Sequence, residues 1–416
     1  GAAPRALTRR RRELKRQKEA LEVRKGHIVA AREALERGDG TRNGGASVVE
    51  SDNGVLVFRD ALEAMEAEEA ARLRMNVLVE EEARKAEEAV RMEREKVRHV
   101  RQLRLASSED ASRFRSRPKL NDRYVLLNML GKGGFSEVWL AYDLSSSAEV
   151  AVKIHQLDPR WSDEKKDNYT RHVSREYEIH RDVRHPRVVS LYDVFEIDVD
   201  SFATVLEYCK GTDLDSMLKE RRRLPERDAR AILLQVLCGM RYLNMPSEEV
   251  GGDGTSKRQG IIHYDLKPGN ILFDGEGGVK ITDFGLSKIV EEETGSDTME
   301  LTSQGAGTYW YLPPECFVTH RAVRISNRVD VWSIGVIFYQ MLFGRRPFGD
   351  GQSQDHIVTN RTVLDAHEVR FPNEPRVSAG AKDFIHACLT YDQAHRPDIL
   401  GVCRNTYLTA KLEDDR

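Results

Sequence analysis

The chain has 416 residues, 32% charged and 40% hydrophobic, which is enough for two or three folding units and a sizeable core. Its formal net charge of −3 excludes a nucleic acid or a membrane as the partner of the whole molecule through bulk charge, so any such signal must be local. The longest apolar runs, such as VWSIGVIFYQML at 331–342, are too short to cross a bilayer, and five scattered cysteines without a C-x-x-C pair argue against zinc and disulfides and for a reducing compartment.

The sequence opens on Gly1 rather than Met, as a fragment would, so the lack of a targeting segment says nothing of the whole protein. Residues 5–37 and 55–106 are rich in Ala, Glu, Arg, Lys and Leu and contain no proline, which predicts a basic charged helix over 1–37 and a second helix over 55–110. Within the first, TRRRRELKRQK at 8–18 reads as a nuclear-import signal, a nucleic-acid contact or the solvated face of a helix. Residues 38–54, GDGTRNGGASVVESDNG, read as a flexible linker. In the second helix one heptad register places Val55, Leu62, Asn76, Ala83, Val90 and Val97 at a, with Phe58, Met65, Val79, Ala86 and Val100 at d. Glu69, Arg72 and Glu93 interrupt that seam. With no other core nearby in the sequence, it predicts coiled-coil association with a second copy or a partner. A single solvated helix laced by i,i+4 ion pairs is the alternative.

A globular domain is expected over 118–410. YVLLNMLGKGGFSEVWLAYD at 124–143 reads as two strands around a glycine loop, the second alternating through Val138, Leu140 and Tyr142, and EVAVKIHQL at 149–157 as a third. From about residue 212 helical patterns dominate: ERDARAILLQVLCGMRYLN, VDVWSIGVIFYQMLF, GAKDFIHACLTY. The fold class is therefore α+β, a small strand-rich lobe followed by a larger helical lobe. PSEEVGGDGTSKRQG at 246–260 reads as a mobile surface insertion.

Gly131, Gly133 and Gly134 would let backbone N–H groups approach phosphate oxygens. A dinucleotide-binding loop should open a helix, yet a strand pattern follows, and a P-loop needs G-K-[ST], whereas Lys132 precedes Gly133. A plain hairpin turn remains the alternative until the downstream residues are weighed. Lys153, inside the next strand, is costly to bury unless an anion and a carboxylate meet it, and Glu176 in SREYEIHRDV is the candidate carboxylate. The ordered set of glycine loop, VAVK, HYDLKPGN at 263–270, DFG at 283–285 and PPE at 313–315 resembles the signature set of protein kinases.

That resemblance implies ATP and Mg²⁺ as cofactors, with Asn270 and Asp283 as the metal-holding residues. It implies Asp265 as the base that orients and deprotonates a substrate hydroxyl, and Lys267 as the cation beside the transferring phosphoryl group. Lys153 and Glu176 complete the catalytic set. The nucleotide would be held by Leu130, Gly131, Lys132, Gly133, Gly134, Phe135 and Ser136 of the loop, with Val138, Ala151 and Leu272 around adenine. Leu206 is implied as gatekeeper, Glu207 to Cys209 as the hinge, and Asp213 as a neighbour of the ribose. Glu315 with Arg396, and Asp330, match buried bracing residues, and Thr308 matches a threonine of Ser/Thr kinases. A reactive-thiol role for Cys209 rests only on its position in EYCKG.

HYDLKPGNIL, ITDFGLSKI, ELTSQGAGTYWYLPPECF and VDVWSIGVIFYQMLFGRRPFG after a charged helical region resemble a Tousled-like kinase, densely over about 120–408. This implies a nuclear Ser/Thr kinase that oligomerises through its helices, autophosphorylates, and phosphorylates the histone chaperone Asf1, with no membrane partner and no support for direct nucleic-acid binding. Two departures from the general kinase pattern stand out. Ser136 occupies the third glycine position, and Tyr264 stands where many kinases carry the arginine that clamps a phosphorylated loop. Ser287, Thr294, Ser296, Thr298, Thr302 and Ser303 are the hydroxyls open to autophosphorylation in the segment that follows. The alternative of another class is a scaffold whose helices bind partners while the kinase fold is vestigial.

Overall fold

A computed structural model describes residues 2–37, 47–51, 54–251, 254–258, 260–285, 287–289, 299–300, 308–318 and 324–411. The chain divides into two compact units, Gly1–Arg101 and Gln102–Arg416.

The first unit contains α1 (Ala2–Glu36), β1 (Ser47–Ser51), β2 (Gly54–Phe58) and most of α2 (Ala61–Asp110). Ile28 and Ala31 of α1 bury against Phe58, Ala64 and Ala71, and ion pairs link Arg10 to Glu81 at 2.7 Å and Arg32 to Glu68 at 3.3 Å, so the helices run antiparallel. This corrects the expectation that α2 lacks a local core. The buried positions Ala64, Ala71 and Leu78 are spaced by seven and mostly small, which lets α1 approach closely. The expected seam lies elsewhere on the helix: Leu62 is 74% exposed, Met65 47%, Val79 45%, Val90 44%, and Val97 and Val100 39% each. Its first two positions are also displaced, because Val55 and Phe58 belong to β2. β1 and β2 form an antiparallel hairpin with Val48 opposite Val57, so part of the expected linker is sheet. Two apolar runs flanking Asn53-Gly54 were the signal for it.

The second unit opens its small lobe with a six-stranded antiparallel sheet, ordered β3-β4-β5-β6-β8-β7. Its strands are β3 (Lys119–Leu120), β4 (Tyr124–Lys132), β5 (Ser136–Asp143), β6 (Ala148–Gln156), β7 (Leu191–Asp198) and β8 (Ser201–Glu207). Alternation sends Trp139, Ala141, Val152 and Ile154 into a core that also holds Phe114, ahead of the boundary expected at 118. Helix α3 (Asp163–Arg181) carries acids in its first turn and Arg181 in its last, matching the helix dipole.

The large lobe is built on α4 (Leu214–Arg221), α5 (Glu226–Asn244), α6 (Arg328–Phe343), α7 (Gln354–Thr359), α8 (Ala379–Cys388) and α9 (Ile399–Cys403). Helix α6 is buried almost all round, as its apolar run predicts, and ends at Gly344 with φ 69°, a left-handed cap that a Cβ would strain. The expected insertion carries a hairpin, β9 (Ser247–Gly251) paired with β10 (Gly254–Arg258). Short pairs complete the unit: β11 (Ile261–Ile262) with β14 (Lys288–Ile289), β12 (Ile271–Phe273) with β13 (Val279–Ile281), and β15 (Met299–Glu300) with β16 (Arg324–Ile325). Among the described residues no helix is long and apolar enough to cross a membrane.

Candidate active site

The frame of the site is a buried carboxylate. Asp330, on the first turn of α6 and 0% exposed, accepts the backbone N–H groups of His263 and Tyr264 at 2.9 Å each and the side-chain amide of Asn244 at 3.0 Å. Those bonds hold Tyr264 at φ 68°, a conformation costly for a bulky residue without such support. Burial pushes the Asp330 carboxyl up, and the three N–H donors oppose it. Asn244 was missed in the sequence, because a polar residue ending an amphipathic helix carries no mark of its tertiary partner.

The turn that follows presents Asp265, 8% exposed. Its carboxylate accepts Lys267 Nζ at 2.5 Å and the Thr308 hydroxyl at 3.0 Å, while Asn270 donates its amide to the Asp265 carbonyl at 2.9 Å. Lys267 also reaches the Thr308 hydroxyl at 3.1 Å. Acid, lysine and threonine thus form one hydrogen-bonded cluster at the exit of β11.

Lys153 of β6 meets the expected carboxylate, Glu176 of α3, at 3.1 Å, and also reaches Asp283, expected as a metal holder, at 3.3 Å. Burial works against its charge, but the two acids outweigh it and raise its pKa. Burial also raises Glu176 despite Lys153, whereas for Asp283 the cations Lys153 and Lys267 outweigh burial and hold the carboxyl below its ordinary value. Asp283 has φ 71°, and Thr282 N donates to the Asn270 carbonyl at 3.0 Å, tying the two metal candidates together. An ionised carboxylate and an amide whose nitrogen is committed elsewhere offer hard oxygens, and these suit Mg²⁺, which takes few protein ligands when phosphates supply the rest. Among the described residues no larger His, Cys, Asp or Glu cluster could hold a metal ion.

The glycine loop is a tight hairpin in which Gly133 N donates to Ser136 O at 2.7 Å. A Cβ at Gly133 would meet the Ser136 hydroxyl at 3.0 Å, whereas one at Gly131 or Gly134 would meet nothing within 4 Å. Ser136, at the third glycine position, closes this hairpin through its carbonyl, while the space beside Gly131 and Gly134 is open. Phe135 packs on Trp161 at 4.7 Å between ring centroids and on Tyr169 at 6.1 Å, an aromatic seat the sequence did not announce.

Val138 lies opposite Gly131, and Ala151 opposite Leu206. Val138, Leu206 and Leu272 are half-buried, as apolar residues facing a ligand cleft would be. Glu207 turns its carboxylate to Lys280 at 2.6 Å, leaving hinge recognition to backbone groups. Burial pushes the Cys209 thiol up to about 12, away from the thiolate form a reactive cysteine needs. Asp213, expected near a ribose, caps α4 by accepting Ser216 N and Oγ at 2.7 Å each.

Arg396, 1% exposed, forks onto Glu315 at 2.7 and 3.1 Å. Tyr264, 1% exposed, sits with Leu312, Cys316, Ile325 and Val329 in a separate apolar cluster. Burial, with the Cys316 thiol alongside, pushes its phenol above the ordinary range. Ser287 is 5% exposed and donates to the His263 carbonyl at 3.2 Å, so it is not an open phosphorylation site as expected. Thr294, Ser296, Thr298, Thr302 and Ser303 lie outside the described residues.

Two buried histidines give a pH prediction. Burial pushes His155 down to about 3 and His180 down to about 4, and the His180 ring donates to the Val189 carbonyl at 2.6 Å. Folded values below the ordinary ~6.5 mean the unfolded chain binds protons first as pH falls. This contribution is complete above that value and declines towards the folded values, costing roughly 2 kcal/mol per histidine between pH 7 and 5. Urea midpoints should fall over that range, and less steeply for His155→Gln; an equal slope would remove His155 from the account.

A lysine fixed by two acids beneath a glycine hairpin, facing an Asp-Lys-Thr cluster and an Asn-Asp pair, defines the catalytic core of a protein kinase. The protein kinase domain family matches residues 124–408. The chain is 48% identical over 95% of its length to the serine/threonine-protein kinase TOUSLED of Arabidopsis thaliana, covering 54% of that protein. It is 52% identical over 82% of its length to serine/threonine-protein kinase tousled-like 2 of Xenopus tropicalis, covering 48% of that protein. To tousled-like 1-B of Danio rerio it is 46% identical over 97%, covering 53%. The chain thus spans about half the length of the curated relatives it matches. It belongs to the protein kinase family and, within it, to the Tousled-like serine/threonine group.

Proposed function

We propose that the chain transfers the γ-phosphoryl group of ATP to serine and threonine hydroxyls of proteins. The observation that carries this reading is the Asp265-Lys267-Thr308 cluster, where a carboxylate is held ready to take a hydroxyl proton and a cation lies beside it. Mg²⁺, when bound, supplies charge neutralisation for the phosphates. Asn270 and Asp283 would hold it, Lys153 steadies the phosphate chain, and Asp265 orients the nucleophile and accepts its proton as the new P–O bond forms and the bond from the γ-phosphorus to the β,γ-bridging oxygen breaks, that oxygen leaving with ADP. Lys267 stabilises the charge that develops. The test is transfer of ³²P from ATP with Mg²⁺ to the chain itself and to the histone chaperone Asf1, followed by phosphoamino-acid analysis. Label on serine or threonine supports the reading; no transfer, or label on tyrosine alone, refutes it and favours the vestigial scaffold.

The finer reading is of a nuclear enzyme that acts on a histone chaperone, autophosphorylates and oligomerises through its helices. Its support is the exposed apolar stripe on α2 and the basic face of α1, where Arg9, Arg11, Arg12, Lys15 and Arg16 point to solvent. Light scattering on the full chain should give a multimeric mass, and Val90→Glu with Val97→Glu should lower it to that of the monomer. A monomeric wild type would dismiss the seam.

A further inference from the structure

Residues 109–117 precede the family match, yet they are fastened to the small lobe at several points. Phe114, 4% exposed, lies in the same apolar cluster as Leu126 and Trp139. Glu109 accepts the backbone N–H of Met129 on β4 at 3.1 Å and pairs with Arg117 at 2.7 Å. At the other side of the sheet Arg113 reaches Asp198, and donates to Ser201 at 3.0 Å.

Between these anchors Ser112, 4% exposed, donates its hydroxyl to Glu137 Oε2 at 2.6 Å and accepts the N–H of Phe114 at 3.0 Å. Glu137 is itself 3% exposed. It also takes Lys132 Nζ on Oε1 at 3.2 Å and the Trp139 indole N–H on Oε2 at 3.3 Å. Lys132 and Glu137 face each other across β4 and β5 at the neck of the glycine loop. A carboxylate this buried is tolerable only while its oxygens are satisfied, so its orientation depends on Ser112.

We infer that Ser112 is a positioning residue for the nucleotide, acting through Glu137 to hold the neck of the glycine loop. The inference rests on the kinase reading above. Without the hydroxyl, Glu137 Oε2 keeps only the long indole contact, and the carboxylate turns towards Lys132 or draws in water. The neck loosens, and the loop N–H groups lose the fixed placement that gives them their hold on phosphate. Asp265, Lys267 and Thr308 lie in the other lobe, so the chemical step is spared.

The test measures KM for ATP and kcat on the full chain as wild type, Ser112→Ala, Glu137→Gln and the double variant, each checked for folding by its thermal transition. Ser112→Ala should raise KM for ATP about three- to tenfold, the loss of one buried hydrogen bond to a charged group, with kcat within about twofold. In the Glu137→Gln background it should add nothing. An unchanged KM in folded Ser112→Ala, a lowered kcat at constant KM, or an equal further rise beside Glu137→Gln would each overturn the inference. A wild type that transfers no phosphate would overturn the kinase reading instead. Should Ser112→Ala fail to fold, Glu137→Gln alone decides, since an unchanged KM for ATP there removes the neck from nucleotide binding.

Discussion

Asp265→Asn is expected to lower kcat by about 10²- to 10⁴-fold while leaving nucleotide affinity near that of the wild type. The exchange is nearly isosteric, and the Asn270 bond to the Asp265 backbone carbonyl does not depend on the side chain. What is lost is a carboxylate poised between Lys267 and Thr308. Lys153→Met should act differently, raising KM for ATP, because it leaves Glu176 and Asp283 facing each other without their cation. Steady-state kinetics with a fluorescent nucleotide titration separates the two. Wild-type turnover in Asp265→Asn would show that another group takes the proton.

Arg396→Leu is expected to destabilise the second unit by about 3–5 kcal/mol. Its guanidinium side chain is 0% exposed, lies 5.0 Å over the Trp332 ring, and donates to the carbonyls of Thr390, Tyr391 and Arg328 besides Glu315. Removing it strands a carboxylate that is 11% exposed and takes a donor from three carbonyls. The urea midpoint reports the loss. Combining it with Glu315→Leu should recover part of it, because the stranded charge is then gone. A midpoint unchanged in Arg396→Leu would mean that the bidentate pair contributes nothing net.

The site was legible where its residues share a short stretch of chain. HYDLKPGN names Asp265, Lys267 and Asn270 together because the chemistry needs them on one turn, and the structure brings Lys153, Glu176 and Asp283 to them. Asn244, Ser112 and Glu137 were not legible, because each acquires its role only through a partner distant in sequence or on another strand. For α2 the heptad reading missed the local core. Periodicity reports that a helix has an apolar stripe, not which stripe a neighbour covers, and the residues that pack, Ala64 and Ala71, are smaller and less apolar than the exposed Leu62 and Met65.

Tyr264 has a consequence for how such an enzyme is governed. The side chain beside the catalytic turn rests among Leu312, Cys316, Ile325 and Val329, so among the described residues its own contacts are apolar where an arginine would grip a phosphate. Apolar cover is indifferent to ionic strength and offers a phosphatase nothing to remove, though it weakens on cooling. At this turn the arrangement of the site is fixed by folding rather than by a charge that can be added and taken away.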